Sequence, residues 1–471
     1  MTPSPISNKR IGIVLGFLIG DSLGAPFRAV KGGHIYQLVG DRVDGYLADP
    51  VLFPERPEKN YLPGLHTILG QELLAVLAGA ADDGTGRPPL ARAGALLADL
   101  AGEGAEGPST LGALRQPGRP LRRGVQRWRA EYPWELADHF APDESAEGAT
   151  PAARALAAAL LPDTSAIDAA RLTHLREAPL SAAVALAETA RLLLDEENPK
   201  KIDASAVLDH VIGACREAED ALREGPVAAR WKELAWGFPV VRFSECLSPV
   251  ASLLRTADDA LAEKTLLHQV REFVPTTGVT HVQHGFAPVL VPWVLYRALG
   301  TLAPAPAIED AVNRGGETSL AAGLIGALMG ARYGADHLPE EWTEGCRAAA
   351  IARTLALAPS TAAEEAWLAD ERRWTGEEET FRAPLRREAE KRNAESTPRK
   401  KPKKPAAPPV VDQGSLPFAP PPQAWLEQKG DELAPWEKQR LKAERGRKRI
   451  DWKETRRQKS KHEGGGGEEE P

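Results

Sequence analysis

The chain of 471 residues is long enough to bury a sizeable core, and its 59 Lys and Arg against 66 Asp and Glu give a formal net charge of −7. A hydrophobic content of 42% excludes a wholly disordered chain. Three scattered cysteines, Cys215, Cys246 and Cys346, exclude a disulfide framework or a Cys-rich zinc site. We interpret them as free thiols in a reducing compartment.

The charge is unevenly distributed along the chain. Residues 1–380 carry 36 basic and 51 acidic side chains, a net of −15, whereas residues 381–471 carry 23 and 15, a net of +8. An acidic body is therefore followed by a basic tail. Such asymmetry indicates two segments of different physical character.

The N-terminus has the charge and hydropathy pattern of a signal peptide, since Lys9 and Arg10 precede an apolar run of ten residues, 11–20. The run ends at Asp21 and is not followed by a convincing cleavage site of small residues. It is also too short to span a bilayer. We therefore predict a cytoplasmic protein with no membrane partner.

The body has the periodicity of α-helices. Apolar residues recur at three- and four-residue spacing, Ala and Leu dominate, and β-branched runs are rare. The clearest periodic segments are residues 179–194, 204–222, 280–299 and 320–333. Because strands do not alternate with helices in the pattern, we predict an all-α fold.

Two G-x-x-x-G patterns occur in the body, one at Gly12, Gly16 and Gly20 and one at Gly326 and Gly330. Glycines at this spacing lie on one face of a helix and allow two backbones to approach closely. We interpret both patterns as tight packing between core helices.

The composition changes near Ser360, where Glu-rich and Arg-rich stretches begin, and residues 397–409 read TPRKKPKKPAAPP. Such a segment buries too little apolar surface to offset its chain entropy. We therefore predict a compact helical domain over residues 8–358. A charged, Pro-rich, mostly disordered basic tail is predicted over residues 359–471.

Three segments, in chain order, resemble motifs of the ADP-ribosylglycohydrolase family, which includes the dinitrogenase-reductase-activating glycohydrolases. Residues 12–27 (GIVLGFLIGDSLGAPF) are similar to its G-x-x-x-G-D-A-L-G-A-P-F-E opening. Residues 63–71 (PGLHTILGQ) resemble P-G-x-Y-T-D-D-T-Q, and residues 311–334 (AVNRGGETSLAAGLIGALMGARYG) resemble A-V-N-x-G-G-D-T-D-T-x-A-A-I-A-G-A-x-x-G-A-x-Y-G. Weaker similarities fall at residues 148–154 and 172–186. The resemblance implies a compact all-α domain with a central cleft.

In that family the cleft holds two Mg²⁺ ions, or Mn²⁺ in some members, which position ADP-ribose and the attacking water. A close metal pair needs several carboxylate ligands. The corresponding positions in this chain are Arg28, Thr67, Ile68, Leu69, Glu317, Ser319 and Leu320. Only Thr67 is kept, and Glu317 is a longer carboxylate in place of Asp.

The charge at these positions argues against a metal pair. The family pattern places five carboxylates around two divalent cations, whereas here Glu317 and Arg28 sum to zero. Two divalent cations in a partly buried neutral pocket are strongly disfavoured. We therefore predict that the magnesium site is lost and that no cofactor is bound. Arg28 and Glu317 are predicted to pair and to join the first helix to the late one, or else to reach solvent separately at the cleft rim.

Three functions follow as alternatives. The first is a pseudoenzyme whose remodelled cleft binds an ADP-ribose-like nucleotide or a protein. The second is residual ADP-ribosyl hydrolysis that uses Thr67, Glu317 and Ser319, with a single metal. The third is an adaptor whose basic tail, with Trp residues interleaved among Lys and Arg, binds nucleic acid or an acidic protein.

The tail also contains a short peptide pattern. Residues 413–418 (QGSLPF), with Gln413, Leu416 and Phe418, are similar to the Q-x-[SD]-L-x-F peptides that bacterial replication and repair proteins insert into the sliding clamp. Binding to the sliding clamp is therefore a further hypothesis for the tail.

Four other features have a structural and a functional interpretation. Asp21 is expected to cap a helix or anchor a loop, and His66 to line the cleft. His281 and His284 have the spacing of a metal pair but no acidic or Cys partner nearby, so we expect satisfied histidines at a helix start. Residues 115–129 contain six arginines. We expect these either to bind phosphate groups of a ligand or to form a solvated helix face paired with local acids.

Overall fold

The computed structural model describes residues 4–102, 110–129, 147–225, 228, 242–273, 278–301 and 303–396. The chain divides into a compact unit over Met1–Thr397 and a second unit over Pro398–Pro471. The second unit lies wholly outside the described residues. The predicted disorder beyond residue 396 and the clamp-like peptide with Gln413, Leu416 and Phe418 therefore lie outside them too.

The first unit is built from α-helices, as the periodicity predicts. The helices are α1 (Pro5–Gly24), α2 (Gly32–Val39), α3 (Ile68–Gly79), α4 (Pro89–Ala101), α5 (Arg119–Arg129), α6 (Pro151–Ala155), α7 (Ala166–Arg171), α8 (Glu177–Asp195), α9 (Ala204–Glu224), α10 (Phe243–Leu247), α11 (Val250–Thr256), α12 (Asp259–Phe273), α13 (Ala287–Gly300), α14 (Pro304–Arg314), α15 (Thr318–Tyr333), α16 (Glu340–Gly345), α17 (Ala349–Leu357) and α18 (Thr361–Ser396).

Short strands join loops without forming a layer of their own. Strand β1 (Val30–Lys31) pairs antiparallel with β4 (Gly315–Gly316), and β2 (Thr110–Leu111) pairs antiparallel with β3 (Leu114–Arg115). The 3₁₀ turns are Ala25–Phe27, Pro57–Lys59, Leu156–Ala159 and Ala335–His337. The prediction of an all-α fold is therefore confirmed.

Helices α1 and α15 pack antiparallel at the centre of the domain, with their backbones in direct contact. A Cβ atom built on Gly12 would lie 2.5 Å from the carbonyl oxygen of Gly330, and one on Gly16 would lie 2.2 Å from that of Gly326. No side chain fits at such distances, so both helices require glycine there. The prediction that the G-x-x-x-G patterns mark tight helix packing is confirmed.

The apolar character of α1 has a packing explanation. The helical stretch Pro5–Phe27 is long and apolar enough to cross a membrane, yet 89% of its most apolar window is buried inside the domain. A helix at the centre of a core has no solvent-facing side, so its sequence lacks the polar stripe of a surface helix. The signal-like hydropathy at the N-terminus therefore coincides with the central core helix.

The compact unit extends beyond residue 358, where the composition predicts the end of the domain. The change in composition is real, but residues Thr361–Ser396 form the long helix α18 rather than the start of a disordered tail. Trp367 and Trp374 on this helix are 0% and 2% exposed. The composition predicts the boundary too early because the Glu and Arg residues that α18 buries resemble those of a charged tail.

We expect Gly16→Ala to destabilise the domain by about 1–3 kcal/mol, because the new methyl group meets the backbone of α15. Chemical denaturation measures the change in the free energy of unfolding. The matched control is Gly33→Ala on α2, where a Cβ atom meets nothing within 4 Å. Equal stability of the two variants would contradict the close backbone contact.

Candidate functional site

Three segments meet at one place in the domain, which we call the junction. They are the C-terminal end of α1 with the turn that follows it, the residues just before α3, and the N-terminal end of α15. The Thr318 hydroxyl donates a hydrogen bond to the Gly24 carbonyl oxygen at 2.7 Å, which joins α15 directly to α1. The segments that resemble the three family motifs are therefore brought together.

Asp21 connects α1 to the start of α3. Its fully buried carboxylate accepts hydrogen bonds from the Thr67 N–H (2.8 Å), the Thr67 hydroxyl (2.7 Å) and the Gly70 N–H (3.2 Å). Burial raises the pKa of Asp21, while the bonds from Thr67 act in the opposite direction. The Thr67 oxygen also accepts from the Leu69 N–H at 3.2 Å, so Asp21 and Thr67 together cap α3. The predicted structural role of Asp21 is confirmed.

Arg28 and Glu317 form an ion pair across the junction. Arg28 Nε lies 2.9 Å from Glu317 Oε2, and the two side chains are 31% and 29% exposed. The backbone brings them together, because the Ala29 N–H donates to the Gly316 carbonyl oxygen at 2.8 Å beside the β1–β4 pair. The predicted contact between these two side chains is therefore present. The alternative of two separately solvated side chains is wrong.

Glycine at residue 315 is required for this approach of the two backbones. Gly315 has a left-handed φ of 82°, and a Cβ atom there would lie 2.4 Å from the carbonyl oxygen of Val30. Only a residue without a side chain adopts that conformation at so short a distance without strain. The glycine pair before Glu317 is thus what positions its carboxylate beside Arg28.

The remaining positions that correspond to family metal ligands are buried and mostly apolar. Ile68, Leu69 and Leu320 belong to the hydrophobic core. Ser319 is 0% exposed, and within the part of the chain that the structure describes its hydroxyl oxygen has no hydrogen-bond partner. The Thr67 hydroxyl already donates to Asp21.

These side chains do not fit a pair of divalent cations. Mg²⁺ and Mn²⁺ prefer oxygen ligands, and two close cations need several carboxylates to offset their repulsion. Glu317 is the one carboxylate among the seven positions, and its Oε2 faces a guanidinium. Over the described ranges, no group of three or more His, Cys, Asp or Glu residues is arranged to hold a metal ion.

His281 and His284 lie on the loop before α13, beside Glu317. Each Nδ1 accepts a local backbone hydrogen bond, from the Gln283 N–H (3.1 Å) and the Phe286 N–H (3.3 Å) respectively. The Glu317 N–H donates to the Gln283 carbonyl oxygen at 2.8 Å. The two histidines are therefore satisfied by local bonds, as expected, but they lie in a turn before α13 rather than at a helix start. Their loop supports the backbone of Glu317.

His66 lies inside the domain rather than on an open cleft wall. Its ring is fully buried, and Nε2 lies 2.7 Å from Glu371 Oε1 on helix α18. The sequence does not indicate this partner, because Glu371 lies in residues 359–471, which the composition predicts to be a disordered tail. The expectation that His66 lines the cleft is wrong, since its side chain is 0% exposed.

The arginine-rich segment 115–129 is divided between the interior and the surface. Arg115 is 4% exposed and pairs with Glu371 and Glu378, and Arg127 is buried and donates to the Leu172 carbonyl oxygen at 3.1 Å. Neither is available to a phosphate group. The expectation of one solvated helix face is also wrong for these two residues.

Arg154, Thr173 and His174 form a buried polar network with Glu72. The sequence indicated the first three only as members of the weaker motif similarities at residues 148–154 and 172–186, with no role assigned. The guanidinium of Arg154 donates to Glu72 Oε1 (2.5 Å), to the carbonyl oxygens of Ala169 (2.5 Å) and Ala170 (3.0 Å), and to the Thr173 hydroxyl. Thr173 Oγ1 lies 2.7 Å from His174 Nδ1. Burial, and then the charge of Arg154, lower the pKa of His174 to about 3.

The three cysteines are free and buried, as interpreted from their number. Burial raises the pKa of Cys246 and of Cys346 to about 12 and raises that of Cys215 further. A thiol in such surroundings stays protonated near neutral pH. None of the three is therefore placed as a nucleophile.

Comparison with known proteins identifies the family. The family model described as ADP-ribosylglycohydrolase matches residues 2–376 of this chain. The chain therefore belongs to the ADP-ribosylglycohydrolase family. Among solved structures, a chain titled "ADP-ribosylglycohydrolase-related protein complex" is similar at 19% sequence identity and a TM-score of 0.48, over 79% of this chain and 99% of that chain. The comparison with curated protein sequences gives no match.

We expect acidification to destabilise the domain through His174. Its pKa is about 3 in the folded chain against an ordinary value of 6.5, so the unfolded state binds the proton first as the pH falls from 6.5 towards 3. The free energy of unfolding then drops by about 2 kcal/mol between about pH 7 and about pH 5. Urea denaturation of the wild type and of His174→Asn measures this slope, which the variant should lose.

The matched control for that experiment is His268→Asn, since His268 is 73% exposed. The control should keep the pH dependence of the wild type. An unchanged slope in His174→Asn would show that His174 is not held neutral.

We expect Arg28 and Glu317 to show a coupling of about 0.5–1 kcal/mol in a double-mutant cycle, because each side chain is only partly desolvated. The cycle combines Arg28→Met with Glu317→Gln, measured by chemical denaturation. The exposed pair Arg392–Glu388, at 3.2 Å, provides the comparison cycle and should give a smaller coupling. Additive effects of the two substitutions would contradict a stabilising pair.

Proposed function

We propose that this member of the ADP-ribosylglycohydrolase family lacks the dimagnesium centre and acts by binding rather than by metal-dependent hydrolysis. The observation that carries the proposal is the Arg28–Glu317 ion pair, 2.9 Å long. It joins the one carboxylate among the seven family ligand positions to a fixed positive charge.

Electrostatics supports this proposal. A guanidinium beside Glu317 repels a divalent cation, and removing water from that cation without several anionic ligands is costly. The apolar side chains of Ile68, Leu69 and Leu320 supply no oxygen in compensation. The Arg28 guanidinium thus supplies one positive charge at the junction without the several carboxylate ligands that a metal pair needs. It stays charged at any physiological pH.

Residual hydrolysis by Thr67, Glu317 and Ser319 is the alternative, and the geometry disfavours it. Thr67 is 1% exposed and its hydroxyl is bonded to Asp21, while Ser319 is 0% exposed. Of the three, Glu317 is the partly exposed one, and it is paired. General acid–base catalysis needs a group within hydrogen-bond reach of the substrate, and the two hydroxyls are enclosed by the core.

For the ligand, we propose a nucleotide with the chemistry of ADP-ribose. Arg28 is partly exposed at the junction, and a guanidinium is well suited to bind the oxygens of a pyrophosphate. The junction brings together the three segments that resemble family motifs, and three of the positions that correspond to family metal ligands, Ile68, Leu69 and Leu320, hold apolar core residues. A binding surface for another protein is the competing proposal for the same place.

We expect calorimetric titration with Mg²⁺ and Mn²⁺ to show no binding at the junction, and the protein to release no ADP-ribose from ADP-ribosylated substrates with either metal. ADP-ribose should bind in the presence of a chelator, and Arg28→Met should weaken that binding about tenfold or more. The matched control is Arg392→Met, which removes an exposed arginine on α18.

Two results would contradict this proposal in different ways. Metal-dependent release of ADP-ribose that Glu317→Ala abolishes would establish residual hydrolysis. Absence of both turnover and ADP-ribose binding would leave the protein-binding surface as the better account of the junction.

A further inference from the structure

Helix α18 presents a buried stripe to the rest of the domain. Trp367, Glu371, Trp374, Glu378 and Arg382 are each less than 9% exposed and recur at three- or four-residue spacing. Residues this far apart lie on one face of a helix. This face therefore buries Glu371 between the two tryptophans, and Glu378 and Arg382 after them. Charged side chains are seldom buried to this extent unless they are paired.

Glu371 is the centre of the contact with the body. Its carboxylate lies 2.7 Å from His66 Nε2 and accepts hydrogen bonds from Gln71 Nε2 (2.7 Å), Arg115 Nη1 (2.6 Å) and Trp367 Nε1 (3.0 Å). Burial alone would raise the pKa of Glu371, but Arg115 and His66 outweigh it and lower the pKa to about 2. The carboxylate is therefore charged and fully paired in the interior.

A second set of contacts lies two helical turns further along α18. Glu378 accepts from Arg115 Nε (2.9 Å) and from Arg382 Nη2 (2.7 Å). Arg382 Nε in turn donates to the Asn60 carbonyl oxygen at 3.0 Å, and its guanidinium lies 5.4 Å from the centre of the Tyr61 ring. This set holds the beginning of the segment 60–67, while His66 holds its end.

The segment 60–67 leads directly into the junction. His66 precedes Thr67, whose N–H and hydroxyl bind Asp21. The ring of His66 also meets Trp374 edge-on, with ring centroids 5.8 Å apart. Helix α18 thus contacts both ends of the segment 60–67, and this segment places Thr67 beside α1.

We propose that α18 is a strap that locks residues 60–67, and that helix and segment open together as one cooperative unit. The reason is that a partial opening leaves buried charges unpaired. If α18 lifted alone, Arg115 would lose both carboxylate partners, His66 would lose Glu371 and the Asn60 carbonyl oxygen would lose Arg382. Leaving charged and polar groups of a buried network without their partners is strongly disfavoured. The placement of Thr67 at the junction therefore depends on a helix that begins after residue 358.

A strap of this kind makes a prediction that simple docking does not. If the two tryptophans alone anchored α18, the helix would fray or detach without disturbing residues 60–67. Under the proposal, weakening Glu371 exposes the backbone amides of both segments to exchange with solvent. The amides of α1 and α15 should keep their protection, because the opening is local.

Hydrogen exchange of the full-length protein, resolved by peptide mass spectrometry, tests the strap. Glu371→Gln should speed exchange about tenfold or more in α18 and in residues 60–70, since one partner of a buried network is neutralised. The matched control is Glu379→Gln, which lies on the same helix, is 57% exposed and pairs with Arg386. This control should exchange like the wild type in residues 60–70.

A measurement on the wild type covers the case in which Glu371→Gln fails to fold. With increasing subdenaturing urea, the amides of α18 and of residues 60–70 should converge on one opening reaction with one dependence on urea. Acceleration confined to α18, acceleration spread equally over α1 and α15, or separate opening reactions for α18 and residues 60–70 would each overturn the proposal.

Discussion

The backbone contact between α1 and α15 is the constraint on which the other features of the domain depend. Glycines on both helices keep side chains out of the closest contacts, and the backbones approach until Cβ atoms built there would collide with carbonyl oxygens. Since the two helices run antiparallel, the C-terminal end of α1 lies beside the N-terminal end of α15. That contact brings Asp21 and the turn that contains Arg28 close to Glu317, which immediately precedes α15.

Direct side-chain pairs connect the same segments whose family counterparts supply metal ligands. Asp21 bonds to Thr67 and Arg28 pairs with Glu317, so α1 is linked to both α3 and α15. A metal pair links such segments through its own charge, which then requires several carboxylates around it. Links made between side chains carry no such requirement, and the apolar residues at the other positions are consistent with them.

The sequence predicted those features that depend on local spacing or on matched residue types. Glycines four residues apart indicated the α1–α15 contact, and the substitution of both partners indicated the pair of Arg28 with Glu317. The partners of His66 and Arg115 were not predictable in this way. Both bind Glu371, which lies 305 positions from His66 in a charged stretch, and no local rule connects them. The spacing of Trp367 and Trp374, two helical turns apart, was the one signal that α18 has a buried face.

The position of charge in this domain matters more than its amount. Residues 1–380 carry a net of −15, yet the site that would need acidity for metal binding holds a neutral pair. Buried basic side chains also bind the ends of helices. Lys9 donates to the Leu193 carbonyl oxygen in the C-terminal part of α8, and Arg332 donates to the Leu299 carbonyl oxygen at the end of α13. A positive charge at the carboxyl end of a helix satisfies carbonyl groups that have no partner within the helix. The net charge of residues 1–380 therefore carries no information about the charge at the junction.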